Sequence, residues 1–132
     1  MTRPDGPAPL VVHEQEVEAE SWDDPTRGTL SFRTLFGGVG TRTGEFTAGV
    51  AELEPREWLG LHTHRQAEVY FVVQGRLRLR LGDAEHDLRA GSAVFVPGDV
   101  PHGVENVGTT PARIFYVLAA ESFDQVEYVF PE

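Results

Sequence analysis

The sequence of 132 residues contains neither cysteine nor lysine. Without cysteine there are no disulfides, zinc–thiolate sites, iron–sulfur clusters or thiol catalysis, so any metal must be held by nitrogen and oxygen. Without lysine there is no Schiff-base catalysis by that side chain. No apolar run approaches the roughly 18 residues of a membrane span, and "MTRPDGPAPLVV" lacks the basic start and apolar stretch of a signal peptide. We expect no membrane partner and a cytoplasmic location.

Cationic residues are also scarce. Eleven arginines face 21 acidic residues, which gives a formal net charge of −10 at pH 7. Nucleic-acid binding needs clustered cations to neutralise phosphates, so DNA and RNA are not expected as partners. The length and the 40% of hydrophobic residues suit one globular domain. With nucleic acid and membrane not expected, the partner that we expect is a small-molecule substrate.

By composition the chain divides into three parts. Residues 1–28 are rich in Pro, Glu and Asp and predict an acidic N-terminal arm, either a tail or an edge strand. Residues 29–120 contain short runs of Val, Phe, Tyr and Leu bounded by turn residues, which predict roughly eight β-strands. Many short strands with frequent turns are typical of a sandwich or barrel. Residues 121–132 predict a C-terminal strand or extension that covers a sheet edge or barrel mouth, or pairs with a second subunit.

The segment "RLRLRL" at residues 76–81 is the clearest strand. Its strict alternation places the leucines on a core face and the arginines on a solvent face. Gly82 and Asp83 follow it, and a Gly-Asp pair between alternating segments predicts a hairpin turn.

The candidate site begins with "HTHRQAE" at residues 62–68. Residues i and i+2 of a strand point to the same side, so His62 and His64 can converge on one point. Glu68 opens the apolar segment "EVYFVVQ", where a buried carboxylate is costly unless it is paired or bound to a metal. His102, after a Pro-Gly turn, is the best candidate for a further ligand. Such nitrogen and oxygen ligands suit Mn, Fe, Co, Ni or Zn, and four of them leave open metal positions for catalysis.

At these residues the sequence resembles the cupin superfamily. The first cupin motif, G-x5-H-x-H-x3-4-E-x6-G, is matched by His62, His64, Glu68 and Gly75. The second, G-x5-P-x-G-x2-H-x3-N, is matched by Gly91, Pro97, His102 and Asn106. Two glycine positions depart from the motifs, since Arg56 and Asp99 occupy them. Both departures concern turns and leave the candidate ligands in register, and aspartate tolerates left-handed turn geometry better than most residues.

The resemblance implies an all-β fold, the cupin-type double-stranded β-helix or jelly-roll barrel, and a homodimer. It implies one divalent metal near one mouth of the barrel, with His62, His64, Glu68 and His102 as ligands. Fe(II) or Mn(II) is favoured, and Ni, Co and Zn are alternatives. His13 and His86 lie outside both motifs and are expected at the surface, while Asn106 is expected to be structural.

Three functions are compatible with such a site. The first is a dioxygenase-type oxidoreductase acting on a small oxygen-rich molecule such as an enediol, keto acid or β-dicarbonyl. The second is a redox-neutral isomerase, cyclase, decarboxylase or lyase. The third is a non-catalytic cupin that binds a small molecule.

Two aromatic residues are candidates for the catalytic pocket. Tyr70 shares parity with Glu68, so its hydroxyl could orient a substrate or move a proton; the alternative is a core aromatic. Trp58 shares parity with His62 if that strand is regular, and would then form a pocket wall. Arg56 could meet an anionic substrate at the mouth or be a surface charge, and Tyr116 is expected to face inward on the last long strand.

Overall fold

Ten antiparallel strands form one curled sheet in the computed structural model, which describes residues 7–131. The order of hydrogen-bonded neighbours is β7-β6-β9-β4-β2-β3-β10-β5-β8, and β1 pairs with β2 outside this path. The strands are β1 (Glu20–Asp24), β2 (Gly28–Phe36), β3 (Thr47–Leu53), β4 (Trp58–His62), β5 (Glu68–Gln74), β6 (Arg76–Leu81), β7 (Ala84–Arg89), β8 (Ala93–Val96), β9 (His102–Asn106) and β10 (Ala112–Leu118). The predicted all-β jelly-roll fold of the cupin type is confirmed.

Alternation along the strands sets the inside and the outside of the barrel. On β6, Leu77 and Leu79 are buried while the alternating Arg76, Arg78 and Arg80 are exposed. β6 and β7 are joined by the predicted turn at Gly82 and Asp83. On β5, Glu68, Tyr70 and Val72 point inward and the residues between them are exposed. A carboxylate and a phenol are therefore placed side by side on the inner face of a strand that is otherwise apolar.

The last residue of the second motif, Asn106, holds two turns together. Its side-chain amide donates hydrogen bonds to the carbonyls of Leu53 at 2.8 Å and Thr110 at 2.9 Å, and its side-chain oxygen accepts one from the amide of Gly108 at 2.8 Å. The side chain is buried, and both of its N–H donors and its oxygen are engaged with the backbone, which agrees with the structural role expected from the sequence.

The two ends of the chain differ from simple extensions. β1 lies within the predicted acidic arm and pairs along its whole length with β2, which corresponds to the edge-strand alternative; residues 1–6 of the arm and residue 132 lie outside the described residues. The C-terminal segment 119–131 contains a 3₁₀ turn at Phe123–Gln125 and one isolated bridge between Thr63 and Val129 instead of a full strand. In the described part of the chain, no helix has the length and apolar character of a membrane span.

Both motif departures adopt the backbone conformation that favours glycine. Arg56 has a φ of 74° and Asp99 a φ of 65°, and no other non-glycine residue among 7–131 has a positive φ. In this left-handed region a Cβ crowds the following carbonyl oxygen at a cost of roughly 1–2 kcal/mol. The two turns at Arg56 and Asp99 therefore have the backbone shape expected for glycine, at some cost in stability.

We expect Arg56→Gly to stabilise the protein by about 0.5–1 kcal/mol, because the relieved strain exceeds the extra entropy of glycine in the unfolded chain. The urea midpoint of unfolding, measured at fixed metal content, checks this. Arg89→Gly is the matched control, since Arg89 ends a strand without a positive φ and its replacement should destabilise. Equal destabilisation by both variants would contradict the expectation.

Candidate metal centre

The four predicted ligands meet because three strands end or begin at one place. His62 is the last residue of β4, Glu68 the first of β5 and His102 the first of β9, and His64 lies two residues beyond β4. β4 and β9 are neighbours, and His62 is paired directly with His102. All four side chains are buried. The structure thus brings together residues that the sequence separates by up to 40 positions.

Their ligand atoms are close enough to share one ion. One ring nitrogen from each of His62, His64 and His102 lies within 4.8 Å of the others. The carboxylate Oε1 of Glu68 lies 3.2 Å from Nε2 of His64 and 3.3 Å from Nε2 of His102. The Nε2 atom of His102 is buried without a hydrogen-bond partner. A buried polar atom without a partner is costly, and a cation between these groups would give it one.

Hydrogen bonds to the backbone fix the tautomer of each histidine. Nδ1 of His62 lies 2.7 Å from the carbonyl of Gly60, and Nδ1 of His64 lies 2.8 Å from that of Gln66. Nδ1 of His102 lies 2.9 Å from the carbonyl of Val100. Since a carbonyl only accepts, each Nδ1 must carry the proton. In the neutral rings, each Nε2 then keeps its lone pair for an ion, the arrangement found around metal-binding histidines.

The charges of the cluster are coupled through Glu68. Burial, and to a smaller extent the neighbouring His102, lower the pKa of His62 to about 4. Burial also acts to lower the pKa of His64, but the adjoining Glu68 carboxylate outweighs it, so that pKa is raised. Burial acts to raise the pKa of Glu68, yet the imidazoles of His102 and His64 beside its Oε1 bring the pKa below its usual value. The carboxylate is therefore ionised, and an ionised carboxylate beside imidazole nitrogens is a donor set that suits a divalent cation.

A cavity of about 280 Å³ lies beside the cluster. Glu68 lines it, so the cavity adjoins the cluster at this carboxylate. The rest of its lining is mostly apolar and aromatic, and comprises Glu20, Trp22, Leu30, Phe32, Ala51, Leu53, Leu59, Tyr70, Val104, Ile114, Tyr116, Phe123 and Tyr128. A volume at the low end of the range for ligand sites suits a small organic molecule.

Two of the tyrosines in this lining were expected to face inward. Tyr70 on β5 and Tyr116 on β10 are directly opposite each other, and both are buried. Burial raises the pKa of Tyr70 well above its usual value, and the negative charge of Glu68 adds to the effect. Burial likewise raises the pKa of Tyr116, whose hydroxyl has no hydrogen-bond partner. Both residues line the cavity, but the hydroxyl of Tyr116 is itself buried against Gly49 on β3.

The structure does not bring Trp58 or Arg56 to the cavity. Both line a groove on the outer surface with Arg78, Arg80 and Glu85. The pairing of β4 with β9 shifts register between Leu59 and His62, so Leu59, not Trp58, shares the inner side with the histidine. Parity in a regular strand would have required Trp58 inside.

The C-terminal segment contributes site residues that the sequence analysis missed. The ring of Tyr128 lies 5.3 Å from that of His62 and 5.5 Å from that of His64, and Phe130 lies 5.4 Å from His62. The bridge between Thr63 and Val129, with two hydrogen bonds of 2.9 Å, fixes the segment there. The shared parity of Tyr128 and Phe130 was the available signal, but it did not indicate which strand they would meet.

Comparisons with known proteins place this site in a wider context. A sequence profile of the cupin domain matches residues 49–118. The chain is 32% identical over 122 residues to dimethylsulfoniopropionate lyase DddW of Ruegeria pomeroyi, which covers 92% of this chain and 80% of that protein. It is 32% identical over 112 residues to polyketide synthase CurC of Streptomyces cyaneus, covering 84% and 70%. The solved structure of the polyketide cyclase RemF from Streptomyces resistomycificus superposes with a TM-score of 0.79 at 24% identity, covering 95% of this chain and 88% of that one.

Proposed function

The chain belongs to the cupin family, and on that premise we propose that it is a metal-dependent lyase that catalyses a redox-neutral elimination on a small carboxylate. The observation that carries the proposal is the position of Tyr70 beside Glu68 on the inner face of β5, where both line the same small cavity. Similarity over most of the chain to DddW, a lyase, supports elimination among the redox-neutral reactions that the site permits.

We assign His62, His64, Glu68 and His102 as the metal ligands. Their fixed tautomers, their burial and the nitrogen–oxygen donor set support the assignment. A divalent ion bound there would polarise an oxygen of the substrate carboxylate and so acidify the neighbouring carbon–hydrogen bond. Fe(II) and Mn(II) are the favoured ions, with Ni, Co and Zn as alternatives that accept the same donors.

Tyr70 is the group that we propose moves the proton. Its phenol is held in the cavity by a strand, and its raised pKa has burial and the charge of Glu68 as its main causes. If Glu68 were ligated to a cation, its negative charge would be compensated, the second cause would be removed and the pKa of Tyr70 would fall, so that the phenolate, which is the form able to accept a proton, would become accessible. The proton passes from the carbon next to the carboxylate to the phenolate oxygen of Tyr70, the carbon–hydrogen electron pair forms a carbon–carbon double bond, and the bond to the leaving group breaks with its own pair. This balance requires no oxidant.

The walls of the cavity complete the arrangement. Leu30, Leu53, Val104 and Ile114 supply apolar surface around the reacting atoms, which excludes water from the base and strengthens electrostatic interactions there. The dioxygenase function expected from the sequence uses the same ligands and stays a prediction, separable from elimination by its consumption of dioxygen.

The test is a product assay on protein loaded separately with Fe(II), Mn(II), Ni(II), Co(II) or Zn(II). Dimethylsulfoniopropionate, the compound in the name of the relative DddW, is the first substrate. We expect release of dimethyl sulfide and acrylate in equal amounts, measured by chromatography, only from metal-loaded protein and without oxygen uptake. Oxygen consumption with a β-diketone and no elimination would favour the dioxygenase. Failure of the purified protein to bind any of these metals would leave a non-catalytic binding protein.

The homodimer and the cytoplasmic location also stay predictions. The outer faces of β5 and β8 expose Val69, Phe71, Val73 and Phe95 next to one another. A contiguous apolar patch of this kind is typical of a protein–protein contact surface, which supports the homodimer.

A further inference from the structure

The outer part of the cavity has an unusual chemical composition. Six aromatic side chains and two carboxylates line the cavity, and none of the described residues in its lining is cationic. The aromatic residues are Trp22, Phe32, Tyr70, Tyr116, Phe123 and Tyr128. The carboxylates are Glu68, at the metal centre, and Glu20, which is exposed on the edge strand β1. The cavity therefore offers negative charge and aromatic rings around a space of about 280 Å³.

Four of these residues come from the two ends of the chain. Glu20 and Trp22 lie on β1, and Phe123 and Tyr128 lie in the C-terminal segment. All four are outside residues 49–118, where the cupin profile matches. The rings of Trp22 and Tyr128 meet edge to face at 5.4 Å, so the two ends are packed against each other. We call Glu20, Trp22, Phe123 and Tyr128 the terminal box.

Electrostatics indicate which ligand group suits this box. The face of an aromatic ring carries partial negative charge and attracts a cation by about 0.5–1 kcal/mol when exposed and about 2 kcal/mol when desolvated. Glu20 adds a full negative charge at the rim. Arg27 already lies over the ring of Phe130, 5.1 Å from its centroid, which is the same interaction just outside the cavity. An anionic group has no cationic side chain to meet in this lining and would be confined to the metal centre.

Charged hydrogen-bond acceptors occur at only two positions among the described lining residues, Glu20 and Glu68, and this restricts the ligand group further. A primary ammonium group is strongly hydrated and needs three acceptors when it is buried. The terminal box provides one carboxylate and one phenol, and its other two members are Trp22 and Phe123. A methylated onium group has no N–H donors to satisfy and is recognised in proteins by aromatic cages. The small volume also favours a compact ligand over a fused-ring molecule.

We propose that the terminal box binds a small methylated onium group, either trimethylammonium or dimethylsulfonium, of a ligand whose carboxylate reaches the metal centre. The position of the carboxylate rests on the proposed function, whereas recognition of the onium group by the terminal box requires no turnover. The residues that select the substrate are then supplied by the chain ends, and the ligands that activate it are supplied by the barrel.

The test is calorimetric titration of the full-length, metal-loaded protein with tetramethylammonium, trimethylsulfonium and tert-butanol. The alcohol has a similar size and no charge, so it measures the apolar contribution alone. We expect both onium ions to bind at least about tenfold more tightly than tert-butanol, since tenfold corresponds to about 1.4 kcal/mol of cation–π and ionic attraction. The tighter of the two identifies the onium type. Equal binding of the alcohol and the onium ions would overturn the proposal.

Variants locate the binding. Trp22→Leu and Tyr128→Leu, on opposite ends of the chain, should each weaken onium binding about tenfold, whereas Tyr128→Phe keeps the ring and should retain it. Trp58→Leu, the same change in the outer groove and away from the cavity, is the matched control and should leave it unchanged. Circular dichroism identifies any variant that fails to fold. If one of the two leucine variants does not fold, the onium affinity of the other tests the proposal. Unaltered onium affinity in both leucine variants would contradict the proposal.

The two proposals fail independently. Elimination without any preference for onium ions would overturn the terminal box and leave the lyase intact. Onium binding without elimination would overturn the proposed reaction and leave the terminal box intact.

Discussion

Replacing His102 with alanine is expected to weaken metal binding by at least about 100-fold, because even an outer partner of a ligand is worth 10–100-fold and His102 supplies an inner nitrogen. Loss of the ion removes several kcal/mol of Lewis-acid stabilisation, so turnover should fall by about 1,000-fold or more. Elemental analysis of the purified variant gives its metal content, and the product assay gives its activity. His102→Gln, closer in size, should lose metal as well while filling the space that alanine leaves.

The matched control for this change is His86→Ala. His86 is exposed on β7, outside both motifs, so its removal should alter neither metal content nor activity. If His102→Ala bound metal as tightly as the unmodified protein while remaining folded, the ligand assignment would have to be abandoned. A loss of metal in both variants would indicate nonspecific binding to surface histidines.

Much of the barrel was predictable because its strands obey simple alternation. Leu77 and Leu79 had to face one side and the alternating arginines of the strand the other, and the structure has them so. The turn at Gly82 and Asp83 followed from residue types alone. Where side chains alternate without interruption, the backbone period of two is sufficient to tell inside from outside.

The clustering of the four candidate ligands was predictable for a different reason. His62 and His64 are close in sequence, but His102 is joined to them only through the pairing of β4 with β9. Nothing local predicts that pairing. The agreement of two spaced motifs with a known family supplied this information. The structure now supplies its physical basis: His62, Glu68 and His102 lie at three strand ends that meet, and His64 lies two residues beyond the first of them. The Nδ1 atom of each of the three imidazoles lies against a backbone carbonyl.

Sequence reasoning reached its limit where alternation is interrupted or where a segment pairs only once. The register shift after Leu59 places Trp58 in the outer groove. A Cβ atom at position 60 would lie 2.9 Å from the Trp58 ring, which indicates why a glycine is found there. Tyr128 and Phe130 reach the histidines through a single bridge at Val129. One bridge leaves no periodic signal, so a segment of this kind is located only by the tertiary structure.

Removing one oxygen atom tests the role of Tyr70. Tyr70→Phe is expected to lower turnover by about 100- to 10,000-fold, the usual contribution of a positioned acid or base. The ring and its packing are kept, so metal content and onium affinity should stay as they are. That combination separates loss of proton transfer from loss of binding. Turnover is measured under substrate saturation by the rate of acrylate release.

The comparison for Tyr70→Phe is Tyr116→Phe, the same chemical change on the strand directly opposite. Both residues belong to the cavity lining, but only Tyr70 is next to Glu68 on the same strand face, and the hydroxyl of Tyr116 is buried against Gly49. We therefore expect Tyr116→Phe to lower turnover by less than about tenfold, well below the range for acid–base catalysis. A larger loss at Tyr116 than at Tyr70 would transfer the proton-moving role to Tyr116, and equal small losses would assign it to neither phenol. Because the two residues share burial and residue type, the difference between the variants isolates what proximity to the metal centre contributes.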